Sequence, residues 1–304
     1  MSTPILIDCD PGHDDAIALL LALASPELEL RGVTTVAGNQ TLDKTTANAL
    51  RVLELVGRDD IPVAAGAGRP LERELRVAAH VHGETGLDGP ALPPARGRPV
   101  DERAAEFLAR KLEPGVVLVA TGPLTNVALL LERGVRPERI VLMGGAIGEG
   151  NITQAAEFNI FVDPEAASLV FGSGVDVTMI GLDVTHKALL TPAHGEQLAA
   201  TGRVGAFVAE LLAFYHRFHA EKYGWPGSPI HDAVAVAHVV DPTLVRTKHL
   251  HVRVETESEA RRGRTIVDVG ERLGLDPNAH VGVDIDAERF IDLLLERLPL
   301  LDFH

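Results

Sequence analysis

The sequence predicts an α/β fold, an open, mainly parallel but mixed sheet with helices on both faces. Three observations carry this. Short apolar runs alternate with helical stretches along most of the chain. Each run ends in a turn of small residues, Asp or Asn, as strands leading into crossover helices do. One late stretch alternates with period two instead, which adds an antiparallel piece to an otherwise parallel sheet.

In chain order, residues 4–10 read as a strand and 14–24 as the helix after it; 30–37 and 41–56 repeat the pattern. Residues 66–99, rich in Pro, Gly, Arg and His, read as a long loop, which at this length is usually functional. A third unit follows at 115–120 and 123–133, then strands at 140–144 and 175–182. Residues 186–224 read as helical throughout, with Glu210–Tyr215 as the apolar centre. Residues 249–269 alternate as His249-Leu250-His251-Val252-Arg253-Val254, turn at the charged 261–264 segment, and return as Ile266-Val267-Asp268-Val269. This is a hairpin near a sheet edge. A strand at 281–285 leads into a final helix at 287–298. With no repeat or linker, residues 1–304 are expected to form a single domain.

Composition narrows the function. The formal charge is −15 without long Lys/Arg runs, which disfavours nucleic acid and suits a divalent cation or a neutral substrate. The apolar run 16–24 is too short to cross a bilayer, and the N-terminus has no signal-like pattern. Cys9, the only cysteine, allows no intrachain disulfide. A cytoplasmic protein with no membrane partner is expected.

The most informative segment is Asp8-Cys9-Asp10-Pro11-Gly12-His13-Asp14-Asp15, four carboxylates where an apolar strand ends and a helix begins. Alternation puts Asp8 and Asp10 on one side, and Pro11-Gly12 turns the chain so that Asp14 and Asp15 open the helix. Converging carboxylates repel unless protonated or neutralised, and a hard, oxygen-preferring cation such as calcium or magnesium is the natural partner. Asp14 and Asp15 also fit a plain helix-dipole role. An aspartyl-phosphate chemistry at Asp8, with Asp10 as acid, is a further reading, although Gly12 and the Asp14-Asp15 pair suit it poorly.

Other strand ends carry Asn39, the Thr121-Gly122-Pro123-Leu124-Thr125-Asn126 turn, Met143-Gly144-Gly145, and a loop with Asn151, Glu157, Phe158 and Asn159. Ile230-His231-Asp232 comes later. Taken alone, Asn39 reads as a helix cap, His231 as a satisfied buried histidine and Asp232 as an N-cap.

Together these motifs resemble the nucleoside hydrolase family, inosine–uridine preferring type, over nearly the whole chain. The resemblance rests on DCDPGHDDA at 8–16, AGN at 37–39, HGETGLDG at 82–89, TGPLTN at 121–126, VLMGGA at 141–146, EFN at 157–159 and PIHDAVAVA at 229–237. It implies the Rossmann-like nucleoside hydrolase fold and a calcium ion held by Asp10, Asp15, the Thr121 carbonyl and Asp232, with Asp8 in support. Asp14 and Asn159 would bind the ribose 2′- and 3′-hydroxyls, and Asn151 and Glu157 the 5′-hydroxyl. Asn39 would orient water or ribose; Met143 and Phe158 would pack on the sugar, and His82 and His231 would lie by the base. Asp10 would be the base that activates water, and His231 a candidate acid for the leaving group. Tyr215, His219 and Tyr223 are further candidates at the base end, each also readable as part of a solvated helix, and His13 and His80 are read as bystanders. The implied enzyme is a calcium-dependent hydrolase of purine or pyrimidine ribonucleosides, and a homotetramer or homodimer. A non-catalytic riboside- or metal-binding member is the alternative.

The chemistry agrees with the resemblance. A vicinal diol is a good bidentate ligand for a cation taking six to eight oxygens. Loss of the base builds oxocarbenium charge that nearby anions stabilise.

Overall fold

The computed structural model describes residues 2–303. The first half of the chain comprises β1 (Thr3–Cys9), α1 (His13–Ala24), β2 (Leu28–Thr35), α2 (Leu42–Leu55), β3 (Val63–Ala65), α3 (Ala79–His82), α4 (Ala104–Lys111), β4 (Val117–Ala120), α5 (Thr125–Glu132) and β5 (Arg139–Met143). The second half comprises α6 (Phe158–Val162), α7 (Pro164–Phe171), β6 (Asp176–Ile180), α8 (Leu182–Thr185), β7 (Leu189–Leu190), α9 (Pro192–Ala199) and α10 (Arg203–Tyr223). It continues through β8 (Ser228–Pro229), α11 (His231–Val240), β9 (Val245–Leu250), β10 (Val252–Val254), β11 (Thr265–Val267), β12 (Ala279–Ile285) and α12 (Ala287–Arg297).

The main sheet has eight strands in the order β3-β2-β1-β4-β5-β6-β12-β9. Every pairing is parallel except β12 with β9, so the sheet is mainly parallel and mixed, as the sequence predicts. β1 sits centrally, and its alternation divides the core: Ile5 and Ile7 pack into one layer and Leu6 into the other. The first layer is built on α1, α2, α10, α11 and α12, and the second on α4, α5 and α7. α1 buries nearly all of its residues because it lies beneath α2, α10 and α11, which explains its unbroken apolar sequence. Among the described residues no helix is long and apolar enough to cross a membrane.

Two expectations are corrected. Residues 186–224 are not helical throughout: β7 pairs antiparallel with β8, and α9 and α10 are separate helices. Pro192 opens α9, where its missing N–H costs nothing, and Thr191 caps that helix by accepting the His194 amide. The predicted 249–269 hairpin is divided at His251. His249 and Leu250 belong to β9 at the edge of the main sheet, whereas β10 and β11 form a small antiparallel sheet of their own. The 66–99 segment is a loop apart from the single turn of α3.

Candidate active site

The site lies where the carboxyl ends of β1, β4 and β5 meet the first turns of α1 and α11, the usual ligand edge of an open α/β sheet. Asp8 ends β1 fully buried, with Oδ1 accepting from Thr34 Oγ1 at 2.5 Å and Asn126 Nδ2 at 2.7 Å. Burial outweighs those bonds and pushes its carboxyl up to about 7. Asp10 Oδ2 accepts the Asn39 amide at 2.6 Å, while its Oδ1 is buried without a partner. Gly38 and Gly122 press against this carboxylate from two sides, where a Cβ would collide with it.

Asp14 and Asp15 occupy the first turn of α1. Asp15 accepts from the Gly12 amide at 3.0 Å, Asn39 Nδ2 at 3.0 Å and Thr121 Oγ1 at 2.9 Å, so it caps its helix and joins the cluster at once. Asp232 arrives on the first turn of α11, two residues past the cap position, which Ile230 holds. Oxygens of Asp14, Asp15 and Asp232 all lie within 4.8 Å of one another. Burial, then the charge of Asp15, pushes Asp14 up to about 7, and burial with the Asp14 and Asp15 charges drives Asp232 well above the carboxylate range. Asp10 is raised for the same reasons. Buried anions at this density, two of them with orphaned oxygens (Asp8 Oδ2 and Asp10 Oδ1), form a donor set that fits a hard divalent cation.

Asn39 is no helix cap. That place belongs to Thr41, and the Asn39 amide side chain instead bridges the Asp10 carbonyl and Asp15. The Thr121 carbonyl faces the site and accepts Asn159 Nδ2 at 2.7 Å, which also reaches the Met143 carbonyl at 3.2 Å. Glu157 caps α6 by accepting the Asn159 and Ile160 amides and also accepts the Gly145 amide just past the end of β5, and burial still raises its carboxyl to about 7. Asn151 Oδ1 accepts the Phe158 amide, tying the 144–159 loop together.

These side chains line a cavity of about 690 Å³, counting its mouth. Asp14, Asn39, Thr121, Met143, Asn159 and Asp232 line its polar side, with Asn151, Glu157 and Phe158 among the other lining residues. The remaining wall is aromatic. His82 Nδ1 accepts the His13 amide at 3.2 Å, and His82 stacks on Tyr215 with ring centres 5.4 Å apart. Tyr215 meets His219 edge-on at 4.5 Å, and His231 Nδ1 lies 2.7 Å from Thr185 Oγ1. Burial holds His82 and His231 well below the usual histidine range and His219 at about 4, so all three are neutral near pH 7.

The family model described as inosine-uridine preferring nucleoside hydrolase matches residues 5–292. The chain belongs to that family. Nucleoside hydrolases break N-glycosyl bonds, so this chain is an enzyme, a ribonucleoside hydrolase. A relative from Citrobacter koseri named pyrimidine-specific ribonucleoside hydrolase RihA is 54% identical over 310 residues, covering 98% of each chain. A protein of that name from Shewanella is 54% identical over 309 residues, covering 99% of this chain and 97% of its own. Among solved structures, a purine-preferring ribonucleoside hydrolase from Gardnerella vaginalis superposes with a TM-score of 0.92 at 35% identity, covering 98% of this chain and 99% of that one. A plant nucleoside hydrolase gives 0.93 at 35%, with the same coverage.

For this nucleoside hydrolase, sequence reasoning named most of the cavity but missed part of its wall. His186, Phe218 and Trp225 line it, as does His80, which was read as a bystander. His13, the other such residue, is the buried support beneath His82. The only advance signal for Trp225 is its place just after Gly224, the left-handed cap (φ +66°) that ends α10 and folds the chain back on it.

Proposed function

We propose that this enzyme is a calcium-dependent hydrolase of pyrimidine ribonucleosides that releases the free base and ribose. The observation that carries the reading is the convergence of Asp14, Asp15 and Asp232, with Asp10 hydrogen-bonded to Asp15, where Asp14 and Asp232 line the cavity. The pyrimidine preference is supported by the name shared by relatives at 53–54% identity. Asp10, Asp15, Asp232 and the Thr121 carbonyl would hold the ion. When bound, it supplies positive charge that grips the ribose diol and acidifies a coordinated water.

Asp14 and Asn159 receive the 2′- and 3′-hydroxyls, and the 144–159 loop brings Asn151 and Glu157 to the 5′-hydroxyl. Asp10 is fixed through Oδ2 by the Asn39 amide, so the unpartnered Oδ1 takes the proton of the attacking water. The water oxygen bonds to C1′ from the face opposite the base, the C1′–N bond breaks with its electron pair going to the base, and the configuration inverts. The carboxylates around the sugar stabilise the cationic charge that develops on it. The base leaves as an anion that His231 and His82, neutral at pH 7, stabilise as hydrogen-bond donors, and it takes its proton from water on release, with Tyr215, His219 and Tyr223 completing that end. A cytoplasmic homotetramer or homodimer belongs to the same reading, checked by sedimentation.

Phosphoryl transfer at Asp8 gains no support, because Thr34 and Asn126 both donate to its Oδ1 and hold it as a supporting carboxylate. The test is release of base from uridine, cytidine and inosine by enzyme treated with chelator and then resupplied with calcium. Turnover restored by calcium and fastest on uridine or cytidine is expected. Binding of uridine by calorimetry without any cleavage would leave the non-catalytic alternative standing.

A further inference from the structure

The base end of the cavity is closed by rings drawn from three separate elements. His231, next to Asp232, meets His186 edge-on at 5.6 Å, and His186 meets Trp225 edge-on at 4.9 Å. Trp225 then stacks on Tyr223 at 4.7 Å and 22°, and on His219 at 5.9 Å and 12°. The series runs outward from the acidic floor, and Trp225 is its outermost wide ring. On the binding reading proposed above, a ribonucleoside with its diol on that floor would pass its base by His82 and His231, with Trp225 lining the same cavity beyond them.

Resting on the pyrimidine reading above, we propose that Trp225, backed by His186, is the specificity-determining residue that limits the base to a single ring. The indole is not free to swing aside. Tyr223 and His219, whose own ring centres are 6.2 Å apart, back it from one side, and His186 meets it edge-on, so a base pressing it toward that side must displace packed rings rather than solvent. Gly224 in its left-handed conformation fixes the direction from which the indole enters. Tyr223 is half exposed, so the wall sits at the mouth, where a fused second ring would reach it and a pyrimidine would stop short. A clash built against the longer base discriminates against it without adding any contact to the shorter one.

The experiment compares kcat/KM for uridine and inosine in the wild type, Trp225→Ala, Trp225→Phe and His186→Ala. Trp225→Ala should raise the inosine-to-uridine ratio by about tenfold or more, His186→Ala by a smaller factor, and Trp225→Phe least. An unchanged ratio in a Trp225→Ala enzyme that still cleaves uridine overturns the inference while the pyrimidine reading stands. A wild type that cleaves inosine as readily as uridine overturns the pyrimidine reading itself. Trp225 is the only tryptophan in the chain, so its emission is an independent readout that survives an inactive variant. Inosine in excess should alter the wild-type emission and uridine should not; calorimetrically confirmed inosine binding with no change in emission overturns the proposal.

Discussion

Replacing Asp232 with asparagine should stabilise the metal-free enzyme while abolishing its response to calcium. The oxygens of Asp14, Asp15 and Asp232 lie within 4.8 Å of one another. At an effective dielectric constant of about 20, two unit charges at that separation repel by about 3.5 kcal/mol. Three carboxylates make three such pairs, and the substitution removes two. The metal-free protein already relieves part of this by binding protons, as the raised Asp14 and Asp232 carboxyls record. The net gain is therefore smaller, about 2–3 kcal/mol at pH 8. A carboxyl raised in the folded state costs stability as pH climbs from its unfolded value, near 4, through its folded one. The gain should accordingly be small at pH 4–5 and grow toward pH 8. Calorimetric melting in chelator and in calcium at both pH values is the assay. The variant should melt several degrees higher than the wild type in chelator at pH 8, and calcium should raise only the wild type. A variant that melts lower in chelator, or a wild type indifferent to calcium, would refute the electrostatic reasoning.

Three further outcomes are expected. Asp10→Ala should lower kcat by about 10²–10⁴-fold while changing ribose affinity little, measured by steady-state kinetics and calorimetry; equal losses in both would make Asp10 a purely structural residue. Gly122→Ala should displace the Asp10 carboxylate it presses on, cutting kcat at least tenfold with folding retained by circular dichroism, and wild-type kinetics would show that the close packing is immaterial. His238, buried against Arg139, is held at about 4, so the folded state refuses a proton that the unfolded chain takes up. Stability should fall as pH drops from 6.5 toward 4, by up to about 3 kcal/mol. His238→Gln should flatten that part of a denaturant-midpoint profile, and an unaltered profile would remove His238 from acid sensitivity.

Much of the architecture was legible because each strand of the central sheet is short, apolar and followed by a turn, a pattern that propensity and spacing expose directly. Pieces defined by a distant partner were not. β7 is two leucines that become a strand only by pairing with Ser228-Pro229, nearly forty positions away. β3 has three residues, held at the edge by β2. The acidic floor was readable from DCDPGHDD and HDA because polar residues on apolar strand ends and helix starts demand an explanation. Its supports were less so: Asn126 and Thr34, which hold Asp8, look like ordinary turn and strand residues. The aromatic wall was the least legible, since His186 and Trp225 meet only through the fold.

Diffraction from crystals grown with calcium and a ribose-like inhibitor tests the central claim most directly. One ion is expected about 2.3–2.6 Å from oxygens of Asp10, Asp15, Asp232, the Thr121 carbonyl and the two vicinal sugar hydroxyls. A sugar seated in the cavity with its diol turned away from those aspartates, or calcium bound elsewhere, would contradict it.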